Sequence, residues 1–497
     1  MATAHVLVFP APAQGHLNCF LHFATALLRA GLHVTFLHTH HNLRRLGASA
    51  ISPRLRFLSV PDGLPDDDPR RVDGLPELME GLRTTGSAAY RALLASLVVR
   101  APAYGDGDGD GFPPVTCVVA DGILPFAIDI AEELSVPAIA FRTVSASAVL
   151  AYLSVPNLIE LGELPFPEGG GGDDGLDERV RGVPGMESFL RRRDLPIQCR
   201  HLAATTTHGD PLLTSVVAAT AHSRNARALL LNTAISLEHP ALTHLARHMR
   251  DVFAIGPLHA MSPAPAAATS LWRHDDGCMA WLDSQPNQSV VYVSLGSLTV
   301  ISHEQFTELL SGLLAAGYPF LWVLRPDMAG NNHDDALLRQ ALLDVAGAGL
   351  ACVVPWAPQR DVLRHRAVGC FLTHSGWNST AEGVAEGVPM VCWPFFADQQ
   401  INSRLVGAVW GNGVDIKDAC ERGVVERSVK ETMESGEIRR SARRLAEQVK
   451  RDTGDGGSSA LEFERLVGFI RELSKKAGGE LGEKERNLCS PCAANGD

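Results

Sequence analysis

The chain has no apolar run of about 18 uninterrupted residues, the length a membrane-crossing helix needs. Its amino terminus, MATAHVLVFP, enters an apolar stretch without a basic leader, and Pro10 and Pro12 cut that stretch short. A soluble, cytoplasmic protein without stable membrane insertion is therefore expected. Positive charge is also scarce: 44 Lys and Arg against 56 Asp and Glu give a formal charge of -12. Basic residues cluster only briefly, as at Arg191-Arg192-Arg193, so nucleic acid is not an expected partner. Ten cysteines lie mostly in apolar runs, as Cys117, Cys352, Cys370 and Cys392 do, which fits a reducing compartment. The Cys489/Cys492 pair has CxxC-like spacing but no second pair to complete a zinc site.

Several nucleotide and hydrolase signatures are missing. No GxSxG elbow occurs, and LGSLTV at 295–300 does not supply one, so a serine hydrolase lacks its nucleophile. Neither GxGxxG after the first strand nor GxxxxGK[ST] is present, which weakens dinucleotide oxidoreductase and nucleotide hydrolase readings. The Asp- and Gly-rich segments at 62–74, 104–114 and 166–178 lack the EF-hand order and its closing glutamate. They are expected to be mobile surface insertions.

What is present is a repeated β-α pattern. At 497 residues two domains are expected, and 45% hydrophobic residues can bury large cores. HVLVFP (5–10), LHVTFLHT (32–39), LRFLSV (55–60), TCVVAD (116–121), AIAFRT (138–143) and ARALLLNT (226–233) read as strands, with helices at 17–31, 124–134 and 145–161. After DVFAIGPL (251–258) a charge-poor Ala/Pro/Ser stretch marks a linker. The pattern restarts with SVVYVSLGS (289–297), FLWVLRP (320–326), ACVVPWA (351–357), VGCFLTH (368–374) and PMVCWPF (389–395). Apolar strands alternating with helices predict α/β architecture: two Rossmann-like domains whose parallel sheets are covered on both faces.

Ligands in open α/β sheets bind beyond the carboxyl ends of strands, and three segments sit there. His16, in PAPAQGHL after the first strand, reads either as a polar cap or as a general base. Asp121, at the end of TCVVAD, reads either as a turn or N-cap residue or as the carboxylate that orients His16. HSGWNST (374–380) reads either as an ordinary capped helix start or as a diphosphate seat, with Gly376 admitting close backbone approach to helix N–H groups. WAPQ (356–359) and FFADQQ (395–400) follow strands of the same half, adding an aromatic face, amides and carboxylates.

From Trp356 through Gln399 these segments form one box, WAPQRDVLRHRAVGCFLTHSGWNSTAEG…VPMVCWPFFADQ, and PAPAQGHL, ADGILPF, LLNTAISLE, VFAIGPL and WLDSQPNQSVVYVSLGS precede it in order. Over nearly its whole length the chain resembles the plant family 1 UDP-sugar glycosyltransferases, two-domain enzymes of the GT-B fold with a central cleft. The resemblance implies that Trp356 stacks on uracil, the Ala357 backbone meets the base edge, and Gln359 and Glu382 reach the ribose. It implies that Ser297, His374, Asn378 and Ser379 contact the diphosphate, with Gly376 between them, and that Trp377, Asp398 and Gln399 touch the transferred sugar. The terminal Gln favours UDP-glucose as donor substrate, with no metal or other cofactor; the family lacks a DxD metal motif.

In the first domain the resemblance makes His16 the general base, Asp121 its partner and Thr143 a hydroxyl contact near the donor sugar. The reaction it implies inverts the anomeric centre and gives a β-glucoside at a hydroxyl or carboxyl of a small lipophilic acceptor; the alternatives are the same fold using UDP-galactose, UDP-xylose or UDP-glucuronate, or a UDP-sugar-binding protein without turnover. The expected boundaries are 1–255 for the acceptor domain, 256–271 for the linker, 272–475 for the UDP-sugar domain and 476–497 for a polar, frayed tail, in a monomer. Two positions depart from the family: Cys19 stands where proline is usual, and Ser297 where many members have threonine. The acceptor pocket is expected between 75 and 205.

Overall fold

The computed structural model describes residues 4–46, 52–68, 70, 74–98, 112–166, 173–201, 210–262, 275, 277–325, 328, 342, 345, 347 and 349–488. Two sheets organise them. The first is formed by β1 (His5–Phe9), β2 (His33–Thr39), β3 (Leu55–Val60), β4 (Cys117–Asp121), β5 (Ala138–Arg142), β6 (Leu229–Leu231) and β7 (Val252–Ala254). The second is formed by β8 (Val290–Ser294), β9 (Phe320–Val323), β10 (Ala351–Val354), β11 (Val368–Thr373), β12 (Met390–Cys392) and β13 (Gly413–Asp415). Each strand foreseen from the apolar runs is present. β7 and β13 are not among the strands the apolar runs predict.

Within each sheet every strand pair is parallel. The spatial orders are β3-β2-β1-β4-β5-β6-β7 and β10-β9-β8-β11-β12-β13. Chain direction across each sheet therefore reverses between β1 and β4, and again between β8 and β11. Such reversal points open a crevice at the carboxyl ends of the strands. Phe9 pairs with Ala120, which sets Asp121 level with the turn leaving β1, and Thr373 pairs with Ser294, which sets His374 level with the turn leaving β8. Both faces of each sheet are buried, so the strands carry apolar side chains at nearly every position.

Contacts join the two units. Ala234 and Leu237 of the first pack into a core with Trp377 and Trp410 of the second, and Trp410 Nε1 donates to the Leu237 carbonyl at 3.2 Å. The last helix, Ser458–Leu488, crosses back and buries Leu466, Val467 and Ile470 against the first sheet. Ser474 Oγ meets Thr116 Oγ1 at 2.8 Å. A helix therefore runs through much of the stretch expected to fray.

The supposed insertions differ from expectation where they are described. Asp62 and Arg70 form a buried ion pair at 2.8 Å that closes the 62–70 turn, because each charge needs a partner once it leaves water. Asp177 and Glu178 pair with Arg191, Arg192 and Arg193, holding the end of the third segment against the chain. Residues 101–111, 167–172, most of the linker and the Cys489/Cys492 pair lie outside the described residues.

Candidate active site

A cleft of about 590 Å³ opens between the carboxyl ends of the two sheets. All the site residues expected from the sequence line it except Asp121, which stands directly behind His16.

His16 lies in the first turn of the helix Gln14–Arg29, not in the turn before it. Its Nδ1 is 2.6 Å from Asp121 Oδ2 and 3.1 Å from Thr143 Oγ1. The Asp121 side chain is 1% exposed and that of His16 24%, so the carboxylate is walled in and the imidazole reaches the cleft. Asp121 also accepts from the Ala11 N–H at 3.1 Å and the Ile123 N–H at 3.2 Å. Burial alone would raise its carboxyl, but the charge and hydrogen bond of His16, then the Ala11 N–H and the Arg142 charge, hold it below the usual range. An ionised Asp121 fixes the proton on Nδ1 and leaves Nε2 as a basic lone pair.

Across the cleft, β11 runs into the helix Trp377–Ala385, whose N-cap is Gly376. Asn378 and Ser379 sit inside the first turn, and no side chain caps the helix. The first intrahelical bond runs from the Thr380 N–H to the Gly376 carbonyl at 2.9 Å, so the N–H groups of Trp377, Asn378 and Ser379 precede the ladder. The His374 ring is wedged between two glycines: a Cβ at Gly296 or at Gly376 would lie 2.5 Å from its Nε2. Burial, with the Arg325 charge second, lowers the His374 pKa to about 4, so the ring is neutral near pH 7.

The remaining wall is a hydrogen-bonded set. Gln359 Nε2 donates to Ser379 Oγ at 2.9 Å and to Glu382 Oε2 at 2.7 Å, while Tyr292 donates to Gln359 Oε1 at 3.3 Å. Burial pushes the Glu382 carboxyl up to about 7. The same cause pushes Asp398 up to about 6, and Asn402 Nδ2 donates to Asp398 Oδ2 at 2.7 Å. Gln399 Oε1 accepts from the Phe395 and Phe396 N–H groups at 2.8 and 3.1 Å, which fixes its amide and leaves the Nε2 face as donor.

Two residues of the HSGWNST stretch are tied to the first unit. Trp377 Nε1 donates to the Asn232 carbonyl at 2.8 Å, and Asn378 Nδ2 donates to the Gly15 carbonyl at 2.7 Å, next to His16. These distant pairings have no local sequence signature. Arg360 also lines the cleft with its Nε buried and without a partner among the described residues; in the sequence it reads as any polar residue at a helix start. Cys19, in proline's usual place, is buried beside Asn232.

A family model described as UDP-glucoronosyl and UDP-glucosyl transferase matches residues 204–452. The chain belongs to that family. It is a UDP-sugar-dependent glycosyltransferase with the GT-B arrangement of two facing α/β sheets. It is 42% identical over 485 residues to the myricetin 3-O-rhamnoside 1,2-glucosyltransferase of Crocosmia x crocosmiiflora, a match covering 96% of this chain and 97% of that one. It is 38% identical over 487 residues to 7-deoxyloganetic acid glucosyltransferase of Catharanthus roseus, covering 94% and 98%. Os79 from O. sativa, solved in complex with UDP, superposes with a TM-score of 0.75 at 29% identity, covering 94% of this chain and all of that one.

Among the described residues no group of three or more His, Cys, Asp or Glu is placed to hold a metal ion. No described helix is long and apolar enough to cross a membrane.

Proposed function

We propose that this glycosyltransferase moves glucose from UDP-glucose to a hydroxyl of a small lipophilic plant metabolite, with inversion. The observation that carries the reading is the His16–Asp121 pair, 2.6 Å apart, facing a helix N-terminus across one cleft. His16 Nε2 takes the acceptor proton, the acceptor oxygen bonds to the anomeric carbon, and the bond from that carbon to the UDP oxygen breaks. The electron pair leaves with UDP. One displacement converts an α-linked donor into a β-glucoside.

Charge grows on two groups as this happens. The imidazolium formed at His16 is stabilised by ionised Asp121, and the diphosphate by the N–H groups of Trp377, Asn378 and Ser379, with Ser297 and neutral His374 beside them. Trp356 stacks on the base, whose edge meets the Ala357 backbone, while Gln359 and Glu382 take the ribose hydroxyls. Asp398 and the Gln399 amide hold the sugar together with Thr143 and Trp377. Both relatives compared above are named as glucosyltransferases, which supports glucose as donor.

In this reading residues 1–255 bind the acceptor and 272–475 the donor, joined through 256–271. The helix Ser458–Leu488 braces the first unit and takes in much of the 476–497 tail. The enzyme acts as a cytoplasmic monomer, which light scattering and a fluorescent fusion test directly.

The deciding experiment incubates purified protein with UDP-glucose, UDP-galactose or UDP-xylose and a library of plant aglycones, followed by mass spectrometry. A glucose-dependent gain of one hexose on an aglycone is expected. Transfer only from another UDP-sugar, or from none, contradicts the proposal.

A further inference from the structure

Arg142 ends β5 only 2% exposed, yet its Nε and Nη1 have no hydrogen-bond partner among the described residues. Its stem lies over Gly122, where a side chain would collide with Arg142 Cδ. The carboxylates nearby are engaged elsewhere. Asp121 bonds to His16, Ala11 and Ile123, and Asp398 accepts from Asn402. The ionisable neighbours of Arg142 are Asp121, Tyr152 and Asp398, so the guanidinium sits beside the catalytic pair and near a cleft residue of the other unit. Burial keeps the Tyr152 hydroxyl protonated, so it too can donate.

A desolvated guanidinium with empty donors is costly, and its planar fork matches one ligand group above others, a carboxylate held by two parallel N–H bonds. The position suits the acceptor. Asp121, on which the Arg142 charge acts, lies 2.6 Å from His16 Nδ1, and Thr143 Oγ1, of the next residue, lies 3.1 Å from the same nitrogen. The guanidinium and the base thus share one neighbour, which suits a small molecule carrying both an acid and a hydroxyl.

We propose that Arg142, with the Tyr152 hydroxyl, is a receptor for a carboxylate on the acceptor, so that the enzyme glycosylates hydroxy acids through their hydroxyl while the acid group is held behind the His16–Asp121 pair, next to Thr143 of the cleft wall. This rests on the transferase reading with His16 as base. The competing anion is Asp398, which faces the same guanidinium.

The test compares hydroxymethyl-cyclohexanecarboxylic acid with its methyl ester, alongside aromatic and bicyclic pairs of the same kind, by kcat/KM with UDP-glucose. The acid is expected to exceed the ester by on the order of 10- to 100-fold, the worth of a charge-assisted hydrogen-bonded pair. Arg142→Met brings that ratio to about one, and Arg142→Lys restores part of it. Calorimetry of acid and ester with the UDP-saturated enzyme reads the receptor without turnover, and the unaltered protein suffices for it. Tighter binding of the acid supports the receptor even if His16 proves not to be the base. Equal affinity and equal kcat/KM for acid and ester overturn the receptor while leaving the transferase reading intact. A ratio retained in a folded Arg142→Met protein overturns it as well.

Discussion

His16 Nδ1 lies 2.6 Å from Asp121 Oδ2, a contact between residues 105 positions apart that exists because β1 and β4 are neighbours at the point where the sheet reverses direction. The geometry gives each residue one task. Asp121 is enclosed, ionised and bonded to Nδ1, and His16 carries the free nitrogen into the cleft. Asp121→Asn keeps the shape and removes the charge, so kcat should fall roughly 10²- to 10⁴-fold while UDP affinity stays within a factor of about three. Steady-state rates with calorimetry check this, and a fall under tenfold contradicts it.

Trp356 offers an aromatic face at the mouth of the helix that begins at Gln359. If uracil stacks there, Trp356→Ala should raise the Kd for UDP by roughly 10-fold or more, the scale of base–aromatic stacking. Unchanged affinity in a calorimetric titration refutes the stacking role.

Glu382 supplies a pH dependence with a definite sign. Its carboxyl is pushed up to about 7 by burial, so the folded state favours the protonated form. The stability this group contributes is complete below its unfolded pKa and is lost as pH rises toward 7 and beyond. Glu382→Gln mimics the protonated form. The melting temperature of the unaltered protein should therefore drop relative to that of the variant between pH 5 and 8, by an amount worth roughly 2 kcal/mol. Parallel curves across that window, measured without UDP, would count against the buried carboxyl.

A second group of charges joins the units away from the chemistry. Asp194 is fully buried, with Lys417 Nζ at 2.9 Å, Arg191 Nη2 at 3.1 Å and Arg404 Nε at 3.3 Å. Burial would raise its carboxyl, but Lys417 and Arg191 hold it below the usual range. Its stabilisation is thus present above the unfolded pKa and disappears as pH falls through the folded one. Asp194→Ala takes one partner from each of three cations, though Lys417 keeps Asp415 at 3.0 Å and Arg191 keeps Asp177 at 2.8 Å, and should destabilise the fold by about 2 kcal/mol near pH 7. Urea denaturation should show that loss shrinking toward pH 3, whereas a difference constant with pH would contradict the ionic origin.

Much of this architecture was legible in the sequence for one reason. Parallel strands buried on both faces must be apolar throughout, so runs such as HVLVF and VGCFLT mark themselves, and their carboxyl ends mark the crevice. The box from Trp356 to Gln399 then marked residues that line one wall of that cleft. Other features hid because their meaning depends on distant partners. Asn378 and Trp377 looked like helix-start residues, yet they bond to Gly15 and Asn232 of the other unit. Gly376 suggested close approach to a ligand, whereas the structure shows it making room for the His374 ring. Arg142 closed an apolar run and drew no notice, and only three-dimensional burial reveals its unpaired donors. The Asp62–Arg70 pair was concealed by a Gly- and Asp-rich composition that reads as mobile until its ion pair is seen.

If His16 removes the acceptor proton, its loss must stop chemistry while sparing donor binding, and one paired measurement separates the two. On His16→Ala, kcat/KM for the best acceptor and the Kd for UDP are determined side by side. The account predicts a loss of roughly 10²- to 10⁴-fold in kcat/KM with UDP affinity retained. Turnover within a few-fold of the unaltered enzyme would contradict it.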